Sequence, residues 1–293
     1  MLGQLPESDA VFLDHVAHFV PAMDSAAEAL ERCGFRLTPF TLQTNRVDGK
    51  PISAGTGNRC AMFRRGYFEI LAPTGDTPLA QQLNERLARH VGLHLAAFSS
   101  ADAAAEHRRL AAEGFPVLPL VDMRRPVATE NGEQDARFTI ARIAPGPMPE
   151  GRIQFLTHHT EHLVWPEPYL DHPNGAQALT AAWVAAADPA EPAERFARFA
   201  GRPSRCDGAI MTISLERGAL RFATPEFLAR EFGIAPGLPL PYLAASEIEV
   251  ASLDRLRRRL DGAGLAHQAI AGGTAVPLPH SVGGTILFRA EIS

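Results

Sequence analysis

Apolar and polar positions along the chain repeat in one order four times. Each copy starts with a short apolar strand, continues as an Ala- and Leu-rich helical pattern that a glycine ends, and closes with strand-like segments. Helices and strands have different periodicities, so each copy is predicted to fold as strand, helix and three strands. Such a unit is too small to bury both faces of its sheet, and the units must therefore pair.

The four copies begin at Phe12, Val91, Leu179 and near Leu240. We predict an α+β protein of four βαβββ modules, paired one with two and three with four. The pairs would form two half-barrel or barrel-like mixed sheets with the helices outside. The predicted domains are an N-terminal module pair at 1–160, a Pro- and aromatic-rich linker at 161–176, and a C-terminal module pair at 177–293.

Two polar, glycine-containing stretches interrupt the first two copies. They are Thr41 to Gly57 and Arg124 to Asp135. Long polar segments of this kind are typical of functional loops, and we predict loops here.

Composition narrows the class of protein. Apolar residues make up 46% and charged residues 21%, so a large core is feasible. The net charge of −5, without a basic face, argues against a nucleic-acid partner. Cys33, Cys60 and Cys206 form no CxxC pair, which argues against a disulfide framework or a thiolate zinc site. No signal peptide or membrane span is apparent, so a cytoplasmic location without membrane association is expected.

Three residues carry the main candidate chemistry. His15 and His94 lie at nearly equivalent positions in the first strands of copies one and two, and Glu69 lies in the closing strand of copy one. Pairing about a pseudo-twofold axis would bring the two imidazoles together. A carboxylate in an apolar strand is costly to bury without a partner, and a metal is one such partner. Two His and one Glu suit a divalent ion with open positions.

Other interpretations of the same residues stay open. A single histidine in an apolar strand is more often a hydrogen-bonded core residue than a ligand, and the alternative for Glu69 is an ion pair with Arg64 or Arg59. Gln154 lies in copy two where Glu69 lies in copy one, and His158 shares its strand face, so both are candidates for a fourth ligand or pocket residue. Arg124 and Arg125 are weaker candidates for binding an anionic substrate group.

The second half lacks the corresponding residues. The positions that match His94 fall near Ala182 and Ala244. Glu247 and Glu249 alternate along a strand and are predicted to face solvent. We therefore predict no metal site in the C-terminal pair.

The strands LDHVAHFV with His15, GYFEIL with Glu69 and GLHLAAF with His94 resemble the metal-binding strands of the vicinal oxygen chelate superfamily. That superfamily includes glyoxalases, bleomycin-resistance proteins and extradiol dioxygenases, and the chain looks closest to its glyoxalase-like domain proteins. The resemblance covers about residues 10–160 well and the remainder weakly.

The resemblance implies paired modules around a divalent Fe, Mn, Zn, Ni or Co ion. It implies a lyase, isomerase or dioxygenase whose small substrate chelates the ion through two oxygens. The alternative is a metal-free protein of the same fold that binds or sequesters a small molecule. The expected partners are this small molecule and, at most, a second copy of the chain.

One departure from the resemblance limits the reaction. The resemblance to glyoxalase I implies a set of metal ligands in which a glutamate at the last position moves the proton. Gln154 stands there in this chain, and an amide takes up no proton near neutral pH. We therefore predict little glyoxalase I activity, and a gain of that activity in Gln154→Glu.

Overall fold

The computed structural model describes residues 3–47, 50–129 and 132–291. Four βαβββ modules are present, as predicted. The first comprises β1 (Phe12–Phe19), α1 (Met23–Arg32), β2 (Thr41–Val47), β3 (Lys50–Met62) and β4 (Tyr67–Pro73), with α2 (Pro78–Leu87) after it. The second comprises β5 (Gly92–Ser99), α3 (Ala103–Ala112), β6 (Val121–Thr129), β7 (Gly132–Arg142) and β8 (Arg152–His158).

The third module follows a connection that contains α4 (Glu161–Val164) and a 3-10 turn (Glu167–Tyr169). It comprises β9 (Ala176–Ala185), α5 (Ala190–Ala200), β10 (Ser204–Asp207), β11 (Ile210–Ser214) and β12 (Ala219–Ala223), with α6 (Pro225–Phe232) after it. The fourth comprises β13 (Tyr242–Val250), α7 (Leu253–Gly262), β14 (Gln268–Ile270), β15 (Gly273–Pro277) and β16 (Thr285–Ala290).

The modules pair into two mixed eight-stranded sheets. Modules one and two close a barrel in the order β1-β4-β3-β2-β6-β7-β8-β5. Modules three and four form a sheet in the order β10-β11-β12-β9-β13-β16-β15-β14. In each sheet the first strands of the two modules are antiparallel neighbours. This arrangement confirms the predicted fold class and module pairing, whereas the domain boundaries stay a prediction.

The module helices form because their apolar stripes meet the outer faces of the sheets. In α1 the buried stripe includes Ala26 and Leu30, and in α5 it includes Phe196 and Phe199. Asp102 caps α3 by accepting hydrogen bonds from two backbone N–H groups of its first turn. These helices belong to one large core that spans both sheets.

Within the described residues, the two predicted long loops are strands instead, whereas residues 48–49 and 130–131 of these stretches lie outside the described residues. The described residues of both stretches lie in the hairpins β2–β3 and β6–β7, which pair with each other through Thr44 and Arg124. Pairing within each hairpin provides backbone hydrogen bonds for these strands although their side chains are largely polar. Two helices, α2 and α6, were not predicted, because they follow the repeated unit rather than belonging to it.

The C-terminal sheet differs from the barrel in what covers its inner strands. Helix α6 packs Phe232 against Trp183, so this face is filled by side chains. Glu247 is buried there between Arg221 and Arg289, and Glu249 is buried and paired with Arg65. The prediction that both glutamates face solvent is wrong, because strands packed on both faces do not show alternation of exposure. Throughout the described chain, no helix is long and apolar enough to cross a membrane.

Candidate active site in the N-terminal barrel

Three of the predicted residues line one cavity inside the barrel. His15 on β1, Glu69 on β4 and Gln154 on β8 contribute to the wall of an inner cavity of about 70 Å³. Their strands are near neighbours in the order β4-β1-β5-β8. Because alternate residues of barrel strands point inward, these positions bring the three polar side chains together in an apolar interior.

A hydrogen bond to the Asp14 carboxylate fixes the orientation of the His15 ring. A β-bulge at Asp14 interrupts the pairing of β1 with β5. The Asp14 carboxylate, fully buried, lies 2.7 Å from His15 Nδ1 and 2.9 Å from His158 Nε2. Burial raises the pKa of Asp14, but His158 and His15 outweigh this effect and hold the pKa well below its usual range. An ionised carboxylate only accepts, so both imidazoles donate to it, and the neutral form of His15 therefore carries its lone pair on Nε2.

That lone pair points towards Glu69. His15 Nε2 lies 3.8 Å from Glu69 Oε2, and the other carboxylate oxygen, Oε1, accepts a hydrogen bond from Asn58 Nδ2 at 2.5 Å. The Tyr67 ring stacks on His15 with the ring centres 4.3 Å apart. The cavity therefore holds an oriented imidazole next to a carboxylate, two groups able to accept and return a proton.

His94 is not part of this cavity. Its Nε2 bonds to the His90 carbonyl at 2.8 Å, and its ring packs against Phe19 and His90. In the sheet, Ala17 pairs with Glu69 and Ala97 pairs with Gln154. The residue equivalent to His15 is therefore Leu95, which lines the cavity.

The predicted equivalence of the two histidines is wrong by one residue. His94 corresponds to Asp14, and both occupy bulges, where an extra residue breaks the alternation that the prediction used. The assignment of His15, Glu69 and His94 as three metal ligands stays a prediction that this arrangement does not support. His158, predicted as a substitute ligand, supports Asp14 and packs its ring against Phe138 and Trp165.

Positive charge dominates the remaining polar wall. The guanidinium groups of Arg124, Arg125, Arg142 and Arg152 line the cavity, and among the described lining residues Glu69 is the only acid. Arg124 lies near the carboxylates of Asp122 and Asp135 at 3.7 and 3.8 Å. Burial, followed by the charge of Arg142, lowers the pKa of Arg152 to about 9. This wall favours an anionic ligand.

The match to known proteins agrees with this architecture. The family described as "Glyoxalase-like domain" matches residues 13–200, which is more than half of the chain. This chain belongs to the glyoxalase-like domain family. The matched range contains the whole barrel and the first strand and helix of the third module. No curated protein matches the sequence significantly.

Solved structures share the fold of this glyoxalase-like protein at low identity. A hypothetical protein from Staphylococcus aureus superposes with a TM-score of 0.64 at 12% identity, covering 96% of this chain and all of the other. A Mn(II)-bound glyoxalase from Novosphingobium aromaticivorans gives 0.55 at 10% identity over 97% and 83%. A variant of 4-hydroxymandelate synthase from Streptomyces coelicolor gives 0.53 at 13% identity over 97% and 94%. At these identities the likenesses show a shared fold.

The donor atoms present do not fit a resident divalent metal. In residues 3–47, 50–129 and 132–291, no three side chains of His, Cys, Asp or Glu lie close enough to share an ion. Near His15 and Glu69, the further candidate is the amide oxygen of Gln154, which has no hydrogen-bond partner. A neutral amide is a weak ligand, and the surrounding guanidinium groups oppose a second positive charge.

Four residues of this site were not predicted from the sequence. Asp14 precedes His15, but only the bulge brings its carboxylate to the His15 ring, and Asn58 lies on β3 directly after the stretch predicted as a loop. Arg142 and Arg152 could have been predicted to line the cavity from their spacing in the sequence. Arg142 follows Phe138 and Ile140, and Arg152 precedes Gln154, at the two-residue spacing of one strand face.

Proposed function

We propose that the barrel of this glyoxalase-like protein binds a small organic anion and moves a proton on it. His15 is the base, Asp14 orients it, and Glu69 is the second proton carrier. The observation that carries this proposal is the bond between Asp14 Oδ1 and His15 Nδ1 at 2.7 Å, which directs Nε2 of His15 into the cavity beside Glu69. The class of reaction is an isomerisation or a lyase reaction.

The chemistry follows from the atoms that face the cavity. His15 Nε2 takes a proton from a carbon next to a carbonyl group, and the electron pair of the broken C–H bond moves to the carbonyl oxygen. The imidazolium that forms is stabilised by Asp14, and the enolate oxygen is stabilised by the Arg124 or Arg125 guanidinium. If the deprotonated carbon bears a hydroxyl group, Glu69 moves the hydroxyl proton to the enolate oxygen and His15 returns its proton to the former carbonyl carbon, which completes an isomerisation. If the substrate carries a leaving group on the carbon beyond the enolate, the enolate expels that group with its bonding electron pair, which completes a lyase reaction.

His15 is expected to be essential for proton transfer. We expect the protein to exchange C–H protons of 2-oxo acids with deuterium oxide, followed by NMR. His15→Ala should slow this exchange by about 10²–10⁴-fold, the usual effect of a general base. Glu69→Gln should slow it as well. His159→Ala is the control, because His159 is exposed at the end of the same strand as His158 and does not line the cavity.

Two results would contradict the proposal. Exchange at an unchanged rate in His15→Ala would place the base elsewhere. Binding of 2-oxo acids without any exchange would support the metal-free binding protein, in which His15 and Glu69 only hold the ligand.

A metal-dependent enzyme is the second candidate. It is favoured by the carboxylate behind His15, since metal-binding histidines commonly donate their other N–H to a carboxylate. In this case His15 and Glu69 would hold the ion only together with a chelating substrate, because no third imidazole, thiolate or carboxylate of the described residues lies close enough to complete the ligand set.

Metal analysis of untagged protein separates the two candidates. We expect less than stoichiometric metal after purification and unchanged proton exchange after dialysis against a chelator. One equivalent of metal that is required for exchange would establish the second candidate. His94→Ala then tests the ligand set: loss of the metal in this variant would restore His94 as the third ligand.

A further inference from the structure

The inner cavity adjoins a much larger cleft. This cleft has a volume of about 730 Å³, against about 70 Å³ for the inner cavity. Leu79, Arg142 and Arg152 line both spaces, so the two meet along this wall. A ligand that reaches His15 from the cleft therefore passes two guanidinium groups.

The inner cavity is too small to enclose a whole substrate. One water molecule needs about 10–15 Å³ of such space, so the inner cavity has room for roughly five small groups. The cleft lies within the 300–1,000 Å³ that is usual for small-molecule sites. The reacting end of a ligand fits inside the barrel, and the rest has to lie in the cleft.

Among the described residues, neither arginine at the junction forms an ion pair with a carboxylate, although the charge of Glu69 acts on Arg152 and opposes the lowering of its pKa. Arg142 Nε is buried without a hydrogen-bond partner. Burial lowers the pKa of Arg142, and burial together with Arg142 lowers that of Arg152. The Arg152 guanidinium also lies over the Phe19 ring at 5.5 Å. Two neighbouring cations in an apolar setting repel each other, and a bound anion would remove that cost.

Apolar side chains form most of the cleft beyond the junction. Leu118, Ile143 and Met148 line one side, and Ile52 and Leu79 line another. Ile52 and Leu118 are unusually exposed for large apolar residues. A polar ligand body would gain little from this wall, whereas an alkyl or aryl group would cover it.

We propose that the ligand is an organic acid with an apolar substituent. Its carboxylate binds Arg142 and Arg152 at the junction, its substituent fills the cleft, and its reacting end enters the barrel. The assignment of the reacting end rests on the proposed function above. The binding of the acid and its substituent does not require turnover.

A series of straight-chain acids tests the binding mode by calorimetry. From butanoate to octanoate, affinity should rise roughly threefold for each added methylene group, as expected for burial of apolar surface. Octanamide should bind about tenfold more weakly than octanoate, because it lacks the charge that the arginines recognise.

Two pairs of matched variants separate the two features. Arg142→Gln should remove the preference for acid over amide and keep the dependence on chain length. Arg137→Gln, an exposed position on the same strand, should change neither. Leu118→Gln should weaken the dependence of affinity on chain length and keep the preference for acid. Leu120→Gln, at an exposed position outside both cavities, should change neither property.

Several outcomes would overturn the proposal. Equal affinity for butanoate and octanoate would exclude the cleft as the site of the substituent. Equal affinity for octanoate and octanamide would exclude the arginine pair. If these results came with His15-dependent proton exchange, the proposed function would stand without this extension. Folding does not confound the arginine variant, because removal of a buried unpaired charge should raise the melting temperature of the free protein.

Discussion

Acidification from pH 7.5 to 4.5 is expected to remove several kcal/mol from the free energy of unfolding. His18, His90 and His94 lie near one another at the end of the barrel opposite Asp14, and all three are held neutral. Burial lowers the pKa of His18 to about 4 and that of His94 to about 3, the latter with a contribution from His90. Burial and the charge of Arg89 also lower the pKa of His90.

The sign follows from proton uptake. Below about pH 6.5 the unfolded chain protonates these histidines, whereas the folded protein does not until the pH reaches their lowered pKa values. The stabilisation is therefore complete above pH 6.5 and falls as the pH decreases towards 4. Each histidine contributes about 1.4 kcal/mol per pH unit in this window, so His18 and His94 together account for roughly 5 kcal/mol at pH 4.5.

Urea unfolding at several pH values measures this effect. His94→Gln keeps an N–H donor for the His90 carbonyl and removes one titrating group. The slope of the unfolding free energy against pH should therefore fall by the contribution of about one bound proton. His162→Gln, an exposed position, should leave the slope unchanged. A free energy that stays constant between pH 7.5 and 4.5 would contradict the prediction, as would an identical slope in His94→Gln.

Much of the fold could be predicted because the repeated pattern is a local property of the sequence. Helix stops such as Gly34 and Gly114, and apolar strands such as that around Phe98, mark each module without reference to its neighbours. The hairpins β2–β3 and β6–β7 were predicted as loops because their polar, glycine-containing sequences lack the apolar alternation of a half-buried strand. Burial of Glu247 could not be predicted either, since its two arginine partners lie on other strands.

The candidate site was predictable where simple alternation holds. His15, Glu69 and Gln154 share a cavity because each lies on a regular stretch of strand. The predicted position of His94 was wrong because a bulge adds one residue to its strand, and the neighbouring sequence contains no feature that predicts this bulge. A second bulge, on β1, places Asp14 next to His15, so the two bulges in this strand pair removed a predicted ligand and supplied an unpredicted partner.

Asp14→Asn is expected to slow proton transfer by about 10²-fold or more while leaving ligand affinity unchanged. Asp14 lines neither cavity, so it does not contact a ligand there. Its two carboxylate oxygens accept from His15 and His158 at the same time. Asparagine has one accepting oxygen and one donating nitrogen, so one of the two imidazoles has to change its tautomer.

Either orientation of the asparagine is unfavourable. If its N–H₂ group faces His15, the proton moves to His15 Nε2 and the base is lost. If its oxygen faces His15, His158 has to place a proton on Nδ1, which is buried without a hydrogen-bond partner. Both arrangements also remove the negative charge that stabilises an imidazolium at His15. Urea unfolding at pH 7 should therefore show a loss of about 1–3 kcal/mol as well.

Three measurements distinguish this positioning role from a merely structural one. Calorimetry should give the same affinity for a carboxylate ligand in Asp14→Asn and the unmodified protein, whereas the exchange rate in deuterium oxide falls. Long-range ¹H–¹⁵N spectra should show a changed tautomer at His15 or His158. Asp14→Glu, which keeps the charge, should recover part of the rate. A parallel loss of affinity and rate would instead indicate a collapsed cavity, and an unchanged rate would mean that His15 does not depend on Asp14.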